Sequence, residues 1–516
     1  MRKHIFLLAA ILLANAASFA QTCLPNDIAY KVKNEGFANS KLEEIAQFMT
    51  DDLGPRLAAS QLKLRSEQMV VDKLAELGLT NPRVEFASEF TKGGWDNQMN
   101  YVAMTEPYYC SFAANPKAWS GSTDGLVSGE CVLVDIQSKA DIEKYRGKLN
   151  GKVVIMPATQ TYEMKFTPLA SRISEEELAE MEKDPRATSS SRRRFMMGNW
   201  QSARELQEAI SNFLKEENVL AIVSGSGTFN VPHSRGVQYK VGEPEPTPEI
   251  ILTIENHGRM ARMLAKGEKV SMELNIKNVF TDNQRINNVI AEIPGTDPKL
   301  KNEIILIGGH LDSWHGSTGA ADNASGCIVM MEAMRIIKAL DIQPKRTIRV
   351  ALWGGEEQGL YGSKGYADSY LYDTKKRKPL GGYDNFALYL NMDNGSGRFR
   401  GIYLEENDQA VPFFEAWKKP IESLGFTTLT LRKTSGTDHM SFTRLGLPAY
   451  QFIQDELEYD RTYHTVMDTY ERLSLSDLRT DAVIVAWLAL NAAMDSERIP
   501  VLPGYPENIP APFARR

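Results

Sequence analysis

The sequence predicts an α/β fold: a mostly parallel central sheet with helices on both faces, carrying an inserted, smaller, mixed β-rich domain. Three observations predict it. Near-continuous apolar runs, EIILIGGH (303–310), TIRVALW (347–353) and FALYLNMD (386–393), alternate with helical stretches such as residues 324–340, the pattern of strands buried on both faces of a parallel sheet. Between residues 120 and 255 the texture changes to short strand-like runs, CVLVD, KVVIMPA and LAIVSGS, broken by the charged stretch ISEEELAEMEKDPRATSSSRRRF. At 516 residues and 42% apolar content, the chain is longer than one hydrophobic core serves.

The segments follow in order. Residues 1–20 join basic Arg2 and Lys3 to an apolar stretch too short for a stable span and a small-residue Ser18-Phe19-Ala20 site, the pattern of a signal peptide cleaved after Ala20. A lipid anchor would want a small residue directly before a cysteine, whereas Cys23 follows Gln21 and Thr22. Residues 21–119 form the N-terminal part of the main domain. Within them, 36–80 reads as two amphipathic helices, the second with Val70, Val71, Leu74 and Leu77 on one face, separated by a break at Leu53-Gly54-Pro55-Arg56. Residues 120–255 are the insertion, 256–498 the main part of the larger domain, and 499–516 a proline-rich, extended tail.

Composition excludes several roles. No segment after the leader reaches the roughly 18 consecutive apolar residues of a membrane helix, so no membrane span is expected and the chain reads as exported, either periplasmic or secreted. Loss of Arg2 and Lys3 takes the formal charge from −7 to −9, which argues against a nucleic-acid partner. The Arg192-Arg193-Arg194 run reads as a solvated face. Cys23, Cys110, Cys131 and Cys327 fit neither a disulfide scaffold nor a zinc ribbon; a Cys110–Cys131 bridge is the one pairing an oxidising compartment suggests.

Four strings carry chemistry: GGHLDSWHGSTGAADNASG, WGGEEQGLYGS, LNMDNGSG and YHTVMD. Ligands of open α/β sheets bind at the carboxyl edge of the strands, which would bring His310, Glu356, Glu357 and Asp393 together. Imidazole and carboxylate donors without thiolate suit zinc, or less selectively manganese or cobalt. Adjacent residues leaving a strand point in different directions, so Glu357 is read as a ligand and Glu356 as the group facing the water. Asp322 precedes a helical stretch whose amino-terminal dipole favours an anion, and is read as a bridge with one oxygen for each of two cations. Asp312 is read as accepting the other N–H of His310 and fixing its tautomer.

Taken jointly, HxD, GAxDNASG, GEEQGLxGS, NMDNG, TDHxSF and YHTxxD resemble the co-catalytic zinc exopeptidases that include bacterial leucyl-type aminopeptidases, closest to the branch containing plasma glutamate carboxypeptidase. The resemblance extends over nearly all of the chain after the leader, and residues 120–255 are similar to the protease-associated domain that this branch carries as an insertion. It implies a zinc-exopeptidase fold and two Zn2+ ions, with Co2+ or Mn2+ as substitutes. One ion would be held by His310 and Asp393 and the other by Glu357 and His464, with Asp322 bridging, Glu356 as general base and a non-proline cis peptide after Asp322. The implied function is a secreted metallo-exopeptidase, an aminopeptidase or dipeptidase, acting on a peptide or dipeptide substrate. Carboxypeptidase action, glutaminyl cyclase chemistry on the same fold with one zinc, and an inactive binding protein are the alternatives.

Direction turns on which charged group meets the peptide terminus, and Arg398, Arg432 and Lys433 compete with Glu405 and Glu406 for that role. The insertion is expected to cover the cleft or support a homodimer. His439 is expected either to polarise the substrate carbonyl or to hold its loop, and Asp468 to orient His464 or cap a helix. Trp314 reads as pocket-lining and His315 as solvent-exposed. His233 and His257 have no assigned role, and Cys327, Met330, Met331 and Met334 read as core.

Overall fold

The computed structural model describes residues 23–157, 162–183, 205–227 and 231–509. The expected signal peptide, the Arg192–Arg194 run and the end of the tail lie outside these residues. One eight-stranded sheet is built from β1 (Thr80–Glu89), β2 (Arg285–Ile293), β3 (Ile304–His310), β4 (Thr347–Trp353), β5 (Phe386–Asn391), β6 (Phe399–Tyr403), β7 (Thr428–Thr430) and β8 (Ala449–Gln454), in the order β1-β2-β4-β3-β5-β8-β6-β7. Its centre, β4-β3-β5-β8, is parallel, while β1 and β2 on one side and β6 on the other join antiparallel. The apolar runs fall on this parallel centre because each must be buried on both faces.

Alternation along each strand sorts its side chains between two cores. Ile305, Ile307, Ile348, Val350 and Leu352 face one core with the helices α1 (Asn26–Ala38), α2 (Gln61–Glu76), α3 (Ser325–Ala339) and α4 (Leu475–Met494). Leu306, Ala351, Trp353 and Tyr389 face the other, with Tyr366 and Phe442. Each such side chain contributes about 1.5–3 kcal/mol relative to exposure. Cys327, Met330, Met331 and Met334 are fully buried, so α3 has no solvent stripe along that run. The first helix begins at Asn26, ahead of the expected 36, and the break at 53–56 is real: α2 restarts after Ser60, whose hydroxyl accepts from the Lys63 amide. Among the described residues no helix is long and apolar enough to cross a membrane.

A second eight-stranded sheet runs Cys110–Ser111, Gly94–Glu106, Ser271–Thr281, Val127–Leu133, Val153–Ile155, Ala221–Gly225, Glu249–Leu252, Ala114–Pro116. It takes its two longest strands, Gly94–Glu106 and Ser271–Thr281, from either side of the 120–255 segment. Part of the charged stretch is a helix, Glu175–Lys183, that buries Leu178 and receives the Thr430 hydroxyl at the Met181 carbonyl, 2.5 Å.

Two expectations are corrected here. All four cysteines are free. Cys110 and Cys131 sit on strands separated by two others, about 14 Å at three inter-strand spacings, twice the reach of a disulfide. The tail is not simply extended: the Leu502 amide donates to Gly446, 2.9 Å, residues 503–508 turn, and Ile509 is buried against the second core.

Candidate active site

Register places the chemistry. His310 pairs with Trp353 across β3 and β4, and Gly308 with Asn391 across β3 and β5. The loops that carry Glu356, Glu357 and Asp393 therefore leave the same sheet edge as His310. Gly355 has φ +66°, a left-handed backbone that glycine adopts without penalty, and it turns the chain straight after β4. Both glutamate amides then donate to the buried Asp312 carboxylate, at 3.1 Å from Glu356 and 3.3 Å from Glu357. The role expected of Asp312 passes to its backbone: His310 Nδ1 lies 2.9 Å from the Asp312 carbonyl and 3.7 Å from its carboxylate. The carbonyl thus fixes the tautomer and leaves Nε2 facing inward.

At the centre is Asp322. Its Oδ1 is 3.2 Å from His310 Nε2 and its Oδ2 3.1 Å from His464 Nε2. Asp393 lies 3.4 Å from His310 and Glu357 2.8 Å from His464. Two donor groups result, His310 with Asp393 and Glu356, and Asp322 with Glu357 and His464. The peptide after Asp322 is cis. The Asn323 side chain pins this turn, donating to the Met392 carbonyl at 2.8 Å and accepting from the Gly326 amide at 3.1 Å. The two oxygens of Asp468 accept the Ala321 and Asp322 amides at 2.6 and 3.0 Å, so its carboxylate holds the turn that leads into α3 rather than a helix following it.

The electrostatics are those of crowded, dry carboxylates. Burial pushes Glu356 well above the usual range, with Asp393, Asp438 and Glu357 adding to the effect. Burial and Asp322 raise Glu357 to about 7. Burial opposes charge on His464, but hydrogen bonds to Asp322 and Glu357 outweigh it and lift its pKa to about 11. The same contest lowers Asp322, whose hydrogen bonds to the two imidazoles overcome its burial. Four carboxylates around two imidazoles leave surplus negative charge, and Glu357 Oε1 is buried without a hydrogen-bond partner. Such a donor set fits divalent cations, which favour mixed nitrogen and oxygen ligands.

Other predicted residues fall at the margins. His439 is fully buried, but its nearest ionic group is Glu405, 3.6 Å away. Trp314 meets the His464 ring edge-on at 6.0 Å. His315 is turned inward rather than to solvent: its Nε2 lies 2.7 Å from the Pro116 carbonyl and its ring stands edge-on to Trp95. Burial takes its pKa down to about 4, so the ring is neutral. Arg398 pairs with Asp477, Arg432 with the Glu180 carbonyl and Lys433 with Glu406.

Two residues were missed. Arg56, read only as part of a helix break, is fully buried and donates to the carbonyls of Met49, Gly54, Leu311, Thr318 and Gly319. Tyr459 has a phenol pushed well above its usual range by burial and, next, by the charges of Asp322, Asp393 and Glu357. Nothing in the local sequence around either residue distinguishes it from an ordinary loop position.

Residues 288–488 match the model of peptidase family M28. Carboxypeptidase Q of Mus musculus is 23% identical over 468 residues, 90% of this chain and 88% of its own. Among solved structures, a peptidase M28 precursor from Shewanella amazonensis SB2B is similar with a TM-score of 0.66 at 23% identity, covering 93% of this chain and 98% of that one. A zinc aminopeptidase from Bacillus subtilis is similar with a TM-score of 0.53 at 18% identity, covering 88% and 94%. At these identities the two structures establish the α/β fold.

Proposed function

The chain belongs to peptidase family M28 and is a zinc-dependent hydrolase, and from that premise we propose that it is an exported exopeptidase, an aminopeptidase or dipeptidase, working through two cations with Glu356 as general base. The observation that carries the proposal is Asp322, which offers one oxygen to each imidazole at 3.2 and 3.1 Å. In this reading His310 and Asp393 would hold one zinc and Glu357 and His464 the other, with Asp322 serving both. Cations bound there would supply Lewis-acid polarisation of the scissile carbonyl and a lowered pKa for the attacking water. Glu356, made more basic by burial, takes the proton from that water and returns it to the leaving amine. Asp312 supports that step through the two amides that hold Glu356 and Glu357 in place.

For direction, the basic side chains expected to meet a terminal carboxylate are engaged with Asp477, the Glu180 carbonyl and Glu406, while the site itself is acidic and favours an ammonium. A carboxypeptidase is the second reading, favoured by the likeness to carboxypeptidase Q along 90% of the chain. Residues 1–20 are proposed to be an export signal, and residues 120–255, with the flanking strands of the second sheet, a domain bordering the site. A panel of dipeptides and end-blocked peptides tests direction. Hydrolysis of carboxyl-blocked but not amino-blocked substrates is expected; the reverse pattern replaces amino-end with carboxyl-end cleavage.

A further inference from the structure

His464 sits on a loop in a left-handed backbone, φ +55°, that residues other than glycine seldom adopt. That conformation is held from outside the catalytic sheet. The Ser234 amide donates to the His464 carbonyl at 2.7 Å, and the Val466 amide to the Pro232 carbonyl at 3.2 Å. Between them, His233 and Thr465 form an antiparallel bridge. The strip bearing these groups is rooted on the edge of the second sheet. Asn115 Nδ2 donates to the His233 carbonyl at 3.0 Å and to Ser234 Oγ at 2.9 Å. Ala118 and Val237 add backbone bonds at 2.8 and 2.9 Å. Fit is tight where strip and site loop meet: a Cβ at Gly316 would overlap Ser234 Oγ and lie 2.8 Å from Asn115 Nδ2.

Among the described residues the second sheet reaches the loop after His310 only further along, where His315 Nε2 lies 2.7 Å from the Pro116 carbonyl, and its hydrogen bonds do not touch His310, which ends β3, or Asp393, which follows β5. We infer that the strip 231–236, anchored by Asn115, is a positioning element for His464, so that the second sheet governs occupancy of one cation seat and not the other. The inference rests on the two-cation reading above. Asn115 and Ser234 touch neither cation nor substrate in that reading; they act through the His464 backbone.

The test is zinc binding by Asn115→Ala, followed by chelator competition and by metal content after dialysis. One of the two equivalents is expected to lose about 10- to 100-fold in affinity, the range for residues that orient a ligand, with the other equivalent unchanged. The melting temperature of the metal-free variant should match that of the metal-free parent, and excess zinc should restore turnover. If Asn115→Ala perturbs folding, Ser234→Ala keeps the backbone ladder and should show the same selective loss, smaller in size. Equal weakening of both equivalents, or of neither, overturns the inference while leaving the two-cation reading intact. A parent protein that takes up fewer than two equivalents overturns that reading instead, and this inference with it.

Discussion

His310 and Asp393 stand at the ends of paired central strands with side chains 1% and 8% exposed, whereas the His464 side chain, on its loop, is 34% exposed. The donor atoms are of the same kinds, but the means of holding them differ. Strand-borne donors inherit their positions from the β4–β3–β5 ladder and from two packed cores, which a local change cannot easily loosen. The loop-borne donor depends on discrete hydrogen bonds from Ser234, Ser317 and the Asp468 turn. A site can thus be assembled with one half rigid and the other half adjustable.

The sharpest way to break this comparison is Glu356→Gln. The change keeps shape and removes the proton acceptor, so turnover is expected to fall about 10²- to 10⁴-fold with both zinc equivalents retained. Glu356 lies in the strand-borne donor group with His310 and Asp393. Loss of one equivalent in the variant would therefore make Glu356 a ligand of that seat and remove it as the base.

Next in size is Arg56→Met. Arg56 is the buried cation that ties the strand-borne side, through the Leu311 carbonyl, to the turn before Asp322, through Thr318 and Gly319. Leaving a buried carbonyl without its donor costs about 1–3 kcal/mol, and Arg56 serves five of them. Urea unfolding should register that loss in the metal-free protein and a smaller one in the zinc-loaded protein, where the cations offset part of the acidic surplus. Equal losses in both forms would mean that Arg56 serves packing alone.

Much of the strand-borne half was legible in the sequence. Apolar runs announced β3, β4 and β5, and ligand types at their ends followed from the topology of open sheets. The loop-borne half was legible as a motif, YHTVMD, but not in its supports. Asp468 reaches backbone amides 146 and 147 residues away, and Asp312 works through both its carbonyl and its carboxylate; side-chain-to-backbone contacts of that kind leave no periodic signal. The extent of the second sheet was obscured for a different reason. Gly94–Glu106 runs from buried through exposed to buried again along its length, so its residues never alternate cleanly, and Ser271–Thr281 alternates well but read as part of the larger domain.

The smallest expected effect, and the finest test of the comparison, is the pH dependence of zinc uptake. In the metal-free protein His464 holds its proton up to about pH 11 because of Asp322 and Glu357. A pKa raised above the ordinary histidine value of about 6.5 stabilises the metal-free fold fully below that value, and the contribution is lost as pH rises through the folded pKa. A cation must displace this proton, so affinity rises with pH, by about tenfold per unit for each proton released. His310 is also raised, by Asp393 and Asp322 against its burial, and with Glu356, which burial likewise raises and which must be ionised to act as a base, it costs the strand-borne seat two protons. The loop-borne seat must displace the proton of His464 and, below about pH 7, that of Glu357 as well. Competitive zinc titrations between pH 6 and 8 should therefore show the slope of one equivalent easing from about two decades per unit toward one as Glu357 passes its pKa of about 7, with no such break for the other. Two slopes that both stay unbroken across pH 7 would mean that Glu357 gives up no proton of its own to the loop-borne seat, and that strand and loop differ in exposure but not in electrostatics.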